Sequence, residues 1–301
     1  MPVSEIGFGC GPTGGLMIRA GAAERRDAVA LALDLGINYF DTAPGYGANA
    51  SECHLGEALH QLNARPCIAT KVALSLEDLA DIGASIRRSV EASLRRLRVD
   101  ELAVIQLHNR VGAARAARAP FGTGALLAIE DVMGPGGVVE AFERLRSKGL
   151  VRHFGFSAFG GDMSLIERLI DSNTIEVLTT HYSMLNRTAW SGPAMGDELD
   201  YREVGKRAVS RGMGSVVLRV LEGGILTSPA PASMSRARRL ASLMDAADLD
   251  VAEGAVRFAL SNSKIGVVLI GFSDAEQIRQ ATNYAGQGPL PPPLRALIEE
   301  T

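Results

Sequence analysis

The chain has 301 residues but only three cysteines, Cys10, Cys53 and Cys67, with no CxxC pair among them. That scarcity excludes a disulfide framework and fits a reducing compartment. Cys53 and His54 are adjacent, but neighbouring residues on a helix point in different directions and no second ligand pair follows, so they read as helix-side residues and no metal is expected. Long apolar runs are lacking too, and none approaches the ~20 residues that a membrane helix needs. No charged-then-apolar leader opens the sequence, so a cytoplasmic location is expected. Neither sign of charge dominates: the net charge is −3, which argues against a nucleic-acid partner and against a basic membrane-binding surface. What is abundant is apolar residues, at 47%, enough for a substantial core.

Short apolar segments recur along the chain, most followed by a helical pattern. Candidate strands are Ile6–Gly9, Ile37–Phe40, Cys67–Thr70, Leu102–Leu107, Arg152–Phe156, Ile175–Thr179, Ser215–Leu218 and Val267–Ile270. Their near-continuous apolar character suits strands covered on both faces. Glu24–Leu35 reads as a helix stopped by Gly36. Ser85–Arg98 places Ile86, Val90, Leu94 and Leu97 on one face and most of its arginines on the other, a solvated surface rather than a phosphate patch. Eight such units predict an α/β fold, a (β/α)₈ TIM barrel, with a doubly wound sheet as the alternative. No linker divides the chain, so residues 1–301 are expected to form one domain. Arg110–Gly137 and Leu221–Ser235 read as long loops on the C-terminal face of the barrel, and "GPLPPPL" as a stiff tail.

"GCGPTG", residues 9–14, matches a dinucleotide fingerprint in letters only. The fingerprint needs a full strand before it and a helix opening from its last glycine, and here only "IGF" precedes it while "GLMIRAGA" follows without a helical period.

Barrel enzymes work at the C-terminal ends of their strands. There the second strand gives Asp41 with Tyr46 just beyond, the third gives Lys71 and the fourth gives His108. Singly, each has an ordinary explanation in loop capping, packing or solvation. Together, four ionisable types at three successive strand ends point to proton transfer at a carbonyl oxygen. A phenol titrates near ~10, and a neighbouring ammonium lowers that value. A carboxylate would orient the ammonium, and an imidazole would hold the substrate oxygen. No side chain can deliver the matching hydride, so a nicotinamide cofactor, NADP or NAD, is implied.

"GINYFDTAPGYGANASECHLGEAL", "IATKV" and "VIQLHN" resemble the signature segments of the aldo-keto reductase superfamily, NAD(P)-dependent barrel enzymes. The likeness runs from "VSEIGFG" to "VLIGFSDAEQI", nearly the whole chain. It implies that Tyr46 is the general acid/base, that Lys71 and Asp41 tune it, and that His108 orients the carbonyl of a small-molecule aldehyde, ketone or aldose, or the corresponding alcohol. It also implies that "GCGPTG" is a cofactor rim with Cys10 as a backbone neighbour and that Ser157 meets the carboxamide. The phosphates fall to Leu221, Gly223 and Ile225 after the seventh strand, and to Gly271, Ser273 and Gln277 after the eighth.

The chain also departs from the family pattern. Ala158 and Thr179 stand where many members carry asparagine and glutamine, and Leu218 replaces an aromatic that stacks on nicotinamide. Ser273–Asp274 replaces a basic site for the 2′-phosphate, so NAD⁺ is expected to serve as readily as NADP⁺. The N-terminal β-hairpin that usually plugs the barrel is not expected, because Met1 lies almost at the first strand; either another element covers that end or the true start lies further upstream. Sugar dehydrogenases are the suggested subclass. The alternative function is a nicotinamide-binding regulatory module with vestigial catalysis, whose mark would be a broken tetrad.

Overall fold

The computed structural model describes residues 1–119, 123–195, 198–227 and 235–301. Ten strands are present among them: β1 (Ile6–Gly9), β2 (Tyr39–Asp41), β3 (Cys67–Val72), β4 (Leu102–Leu107), β5 (Val111–Gly112), β6 (Leu127–Ala128), β7 (Val151–Ala158), β8 (Val177–His181), β9 (Gly214–Leu218) and β10 (Val267–Gly271). Eight of them close a parallel barrel in the order β1-β10-β9-β8-β7-β4-β3-β2, while β5 and β6 form a separate two-residue pair. The seam joins the two ends of the chain, with Gly9 opposite Gly271.

Side chains alternate between the two faces of every strand. The outward set, among them Phe8, Phe40, Ile68, Ile105, Phe154, Phe156, Leu178, Val217 and Val268, packs under the helices in one large cluster. Each such side chain contributes about 1.5–3 kcal/mol on burial. A second cluster fills the barrel: Tyr39, Ala69, Val104, Val216, Val267 and Leu269, with Val3 packed against it. A Cβ at Gly7 would stand 2.7 Å from Val267 Cγ1, so the small residues of β1 make room for the large ones of β10.

The helix expected from Ser85 begins earlier, at Ile82, because Asp81 caps it by accepting from the Ala84 amide at 2.9 Å. The helix Ala22–Asp34 is followed by Gly36 at φ 86°, the expected stop. Three expectations fail. "GLMIRAGA" holds a one-turn helix, Leu16–Arg19. The loop expected over 110–137 contains β5, β6 and the helix Ile129–Met133, with residues 120–122 outside the described set. The proline-rich tail opens a helix, Pro292–Glu300, since first-turn amides have no intrahelical acceptor and proline loses nothing there. Of the second long connection, residues 228–234 lie outside the described residues.

Candidate active site

β2, β3 and β8 run past the ends read from sequence, and that extension sets the site. On β2, Tyr39 faces inward, so Asp41 does too; on β3, Ala69 is followed two residues on by Lys71; on β4, Val104 is followed by Gln106. Each strand thus carries an apolar residue low in the barrel and a polar one a pleat higher. Asp41 and Lys71 are each 2% exposed. The Lys71 ammonium donates to Asp41 Oδ1 and, at 2.9 Å, to the Thr42 carbonyl. Gln106 Nε2 donates to Asp41 Oδ2 at 3.0 Å, and Thr179 Oγ1 donates to Gln106 Oε1 at 2.7 Å. Gly155 leaves space for this glutamine, for a Cβ there would lie 2.6 Å from Gln106 Cγ. The result is a buried chain, Thr179–Gln106–Asp41–Lys71, in which both charges are paired.

Tyr46 sits above its end. Lys71 Nζ lies 4.9 Å from the centroid of the Tyr46 ring, and the His108 ring meets that ring edge-on with centroids 6.1 Å apart. The loop bearing Tyr46 is tied down: Thr42 Oγ1 and Ser51 Oγ share a hydrogen bond of 2.7 Å, and Ser51 donates to the Cys10 carbonyl at 2.8 Å. The helix Ala50–Gln61 that follows is anchored by buried Glu52, which accepts from Thr70 at 2.6 Å and pairs with Arg96 at 2.6 Å. The four ionisable residues predicted from sequence therefore do meet at one rim.

Their electrostatics differ from expectation in one respect. The charge and hydrogen bond of Lys71 pull the Tyr46 phenol down, yet burial outweighs them and leaves it above its ordinary value, with Asp41 adding to the rise. The phenol is thus protonated at neutral pH. Burial weighs against the Lys71 ammonium, but Asp41 and Tyr46 more than restore it and raise it above the usual lysine range. His108 is pushed down to about 3, first by burial and then by the charges of Lys71 and Arg110, so its imidazole is neutral.

Tyr46, Lys71, Asp41 and His108 line a cleft of about 420 Å³. Of the expected cofactor residues, Ser157, Leu218, Leu221, Gly223, Gly271, Ser273 and Gln277 line it as well. Three do not. Cys10 is 1% exposed, its thiol turned back towards the Phe8 carbonyl and raised by burial, though its backbone braces the loop of Tyr46. Thr179 spends its hydroxyl on Gln106, below the cleft floor. Ile225 faces a neighbouring chamber of about 1110 Å³. "GCGPTG" does form a rim. Gly14, at φ 77°, packs so tightly on the end of β10 that a Cβ would lie 2.6 Å from Gly271 and Phe272 backbone atoms. A Cβ at Gly11 would lie 3.3 Å from Tyr46 Cε2.

Cys53 is exposed, and the His54 ring nitrogen Nδ1 donates to the Met17 carbonyl at 2.8 Å. Among the described residues no group of three or more His, Cys, Asp or Glu could hold a metal ion, and no helix is long and apolar enough to cross a membrane. Sequence reading missed Gln106, Arg110, Phe159 and Arg219. The first was detectable, because in "VIQLHN" it stands two residues before His108 and so on the same strand face.

The chain is similar to known proteins over nearly its whole length. The chain is 26% identical to pyridoxal 4-dehydrogenase of Microbacterium luteolum, over 93% of this chain and 89% of that one. It is 27% identical to L-galactose dehydrogenase of Arabidopsis thaliana, over 93% and 83%. The holo form of an aldo-keto reductase from Bacillus halodurans superposes with a TM-score of 0.77 at 25% identity, covering 99% of this chain and 92% of that one. The model of the Aldo/keto reductase family matches residues 5–299, and the chain belongs to that family of oxidoreductases.

Proposed function

We propose that the protein interconverts a carbonyl and an alcohol, with Tyr46 as the general acid/base and NADP or NAD as the redox partner. The observation that carries this reading is the buried chain ending at Tyr46 in a cleft with glycine-lined walls. Gly11 fits the cofactor assignment, since any side chain there would fill the space in front of the phenol. Gly9, Gly11, Gly14 and Gly271, with Gly223 and Gly224 also lining the cleft, would allow close backbone approach, while Ser273 and Gln277 would receive the far end. When bound, the nicotinamide supplies or accepts the hydride at the carbonyl carbon.

The residues do the rest. In reduction, the phenol of Tyr46 gives its proton to the carbonyl oxygen, and in oxidation it takes the proton back. Lys71 stabilises the phenolate left behind, and Asp41 keeps that ammonium charged and aimed. His108, neutral, orients the oxygen without competing as an acid. Aldehydes, ketones and aldoses, with their alcohols, are the substrates.

Both cofactors serve. Ser273 Oγ donates to Asp274 Oδ2 at 3.1 Å, and Asp274 caps the helix Ala275–Gly286 by accepting from the Gln277 amide at 2.9 Å. Among the described residues the adjoining cavity of about 740 Å³ is lined by Asp245 and Asp250 and by no lysine or arginine, so none of them rewards a 2′-phosphate. Cofactor titration should give affinities for NADH and NADPH within about tenfold, a difference of ~1.4 kcal/mol. A strong preference for NADPH would refute this part alone. The regulatory alternative has no support from the site, whose four members are intact and convergent. Following the absorbance of the reduced cofactor on addition of aldehydes tests the reading directly: turnover supports it, and binding without turnover favours the alternative.

A further inference from the structure

Neighbouring strands of the barrel run β8-β7-β4-β3-β2, and Gln106 stands on the middle one. Its register partners are Lys71 on β3 and Gly155 on β7. Its side-chain amide reaches past both of them, with Nε2 on Asp41 of β2 and Oε1 on Thr179 of β8. Gly155 opens the second path, since a Cβ there would occupy it. Gln106 is fully buried and does not line the cleft. Packing alone gives no reason for this residue. Val104 fills the same face one pleat lower, and a leucine would fill nearly the same space as the glutamine with no polar group to satisfy.

What the amide adds is a second grip on one carboxylate. Held by Lys71 at Oδ1 alone, Asp41 could turn about its last torsion, which is a soft one. With Oδ2 held from β4, both oxygens are fixed. The Lys71 ammonium is fixed in turn, because two of its three N–H bonds go to Asp41 Oδ1 and the Thr42 carbonyl, leaving the third to face the Tyr46 phenol. The direction of the amide is also set. Oε1 turned towards Asp41 would put lone pairs against a carboxylate, so the ionised acid selects Nε2 and the Thr179 hydroxyl takes the other end.

The titratable groups that feel the charge of Asp41 are Lys71, Tyr46, Tyr39 and Cys10. After burial, Lys71 acts on His108 together with Arg110, which meets Arg219 at the Phe159 ring, each Cζ 5.0 Å from its centroid. Gln106 brings no charge into this group, so it acts on the balance only through where it holds Asp41.

We infer that Gln106 is a positioning residue for the proton transfer: gripped by Thr179, it fixes Asp41 and, through it, the Lys71–Tyr46 pair in the geometry from which the phenol gives or takes its proton. This rests on the carbonyl–alcohol reading above and adds to it a member that touches neither substrate nor cofactor. Small misplacements of a reacting group are costly, and the glutamine prevents one from three residues away.

The test reads single turnovers of bound reduced nicotinamide, because cofactor release can mask the chemical step in kcat. The probes are glyceraldehyde, butanal and butanone with NADH and NADPH, on the purified full-length protein. Gln106→Leu should slow hydride transfer by about ten- to a hundredfold, as loss of a hydrogen bond to a charged group gives, while cofactor and carbonyl dissociation constants stay within about twofold. Thr179→Val keeps the volume and should slow it by about three- to tenfold. Gln106→Glu separates positioning from packing. When protonated, its acid still donates to Asp41 and accepts from Thr179, so at low pH the rate should match that of the unsubstituted protein. Burial beside a second carboxylate raises its titration from ~4.3 to about 6–9, and the rate should fall as pH rises through that range, where the unsubstituted protein shows no such step. Far-UV circular dichroism and urea midpoints establish folding; if Gln106→Leu fails to fold, the two isosteric variants decide. Folded variants with lower stability but unchanged rates would overturn the inference and make Gln106 a packing residue. So would parallel pH profiles for Gln106→Glu and the unsubstituted protein, or a lost rate matched by equally weakened cofactor binding. Each of these leaves the carbonyl–alcohol reading intact, whereas no turnover of any probe by the unsubstituted protein would bring down both.

Discussion

Two layers inside one barrel lie a single pleat apart and have opposite character. The lower holds Tyr39, Ala69, Val104, Val216 and Val267. The upper holds Asp41, Lys71, Gln106 and Ser157, with Thr179 beside them. On β2, β3 and β4 the change takes two residues, the shortest step that keeps a side chain on the same face. The lower layer needs only volume and shape. The upper layer places two charges where water is excluded, and it is tolerable because every partner is in place. Stability resides in the first kind of packing, and the proposed chemistry in the second.

That contrast can be broken from the top downwards. Tyr46→Phe removes the proton donor without opening a void, and kcat should fall by about 10²–10⁴ while fluorescence titration shows retained cofactor binding. Near-normal turnover would end the role assigned to Tyr46. Lys71→Met leaves Asp41 buried without its counter-ion and should cost about 3–5 kcal/mol in urea unfolding. A loss below about 1 kcal/mol would mean that water reaches the pair.

Protonation probes the same layer. His108 titrates at about 3 in the folded chain, well below its ordinary value near 6.5. The unfolded state therefore binds the extra proton first, and stability should drop as pH falls from about 6.5 towards 3. A His108→Asn variant should lose less stability over that window, measured as urea midpoints at stepped pH. Parallel curves would show that His108 is not the group responsible.

The gentlest changes sharpen the comparison. Gly155→Ala drives a methyl towards Gln106, whose two hydrogen bonds fix it in place, and should cost about 1–3 kcal/mol together with a fall in kcat. Asp81→Ala, at an exposed helix start outside the cleft, should cost about 1 kcal/mol from the lost cap and leave kcat unchanged. If both variants lost stability but neither lost activity, the upper layer would be packing like the lower one.

The same contrast explains what the sequence could disclose. The barrel was legible because strands buried on both faces are written as apolar runs. The ends of β2, β3 and β8 were misplaced because apolarity stops before the strands do: Asp41, Lys71 and His181 look like loop residues while their backbones still pair. The tetrad could be read because each member follows a recognisable strand. Gln106 was hidden as one polar letter in an apolar run. The meeting of Arg110 and Arg219 was invisible, since it depends on a ring borne by a third segment. The direction of the Tyr46 shift was misjudged because a sequence names the neighbouring ammonium but not the depth of burial.

The seam between β1 and β10 bears on the order in which the molecule can become competent. All four ionisable groups lie within the first 108 residues, whereas the opposite wall of the cleft continues to Gln277. A chain still leaving the ribosome therefore owns the side chains proposed to react long before it owns a place to use them. Closure waits for the last strand to find the first, so any nascent fragment should be chemically silent.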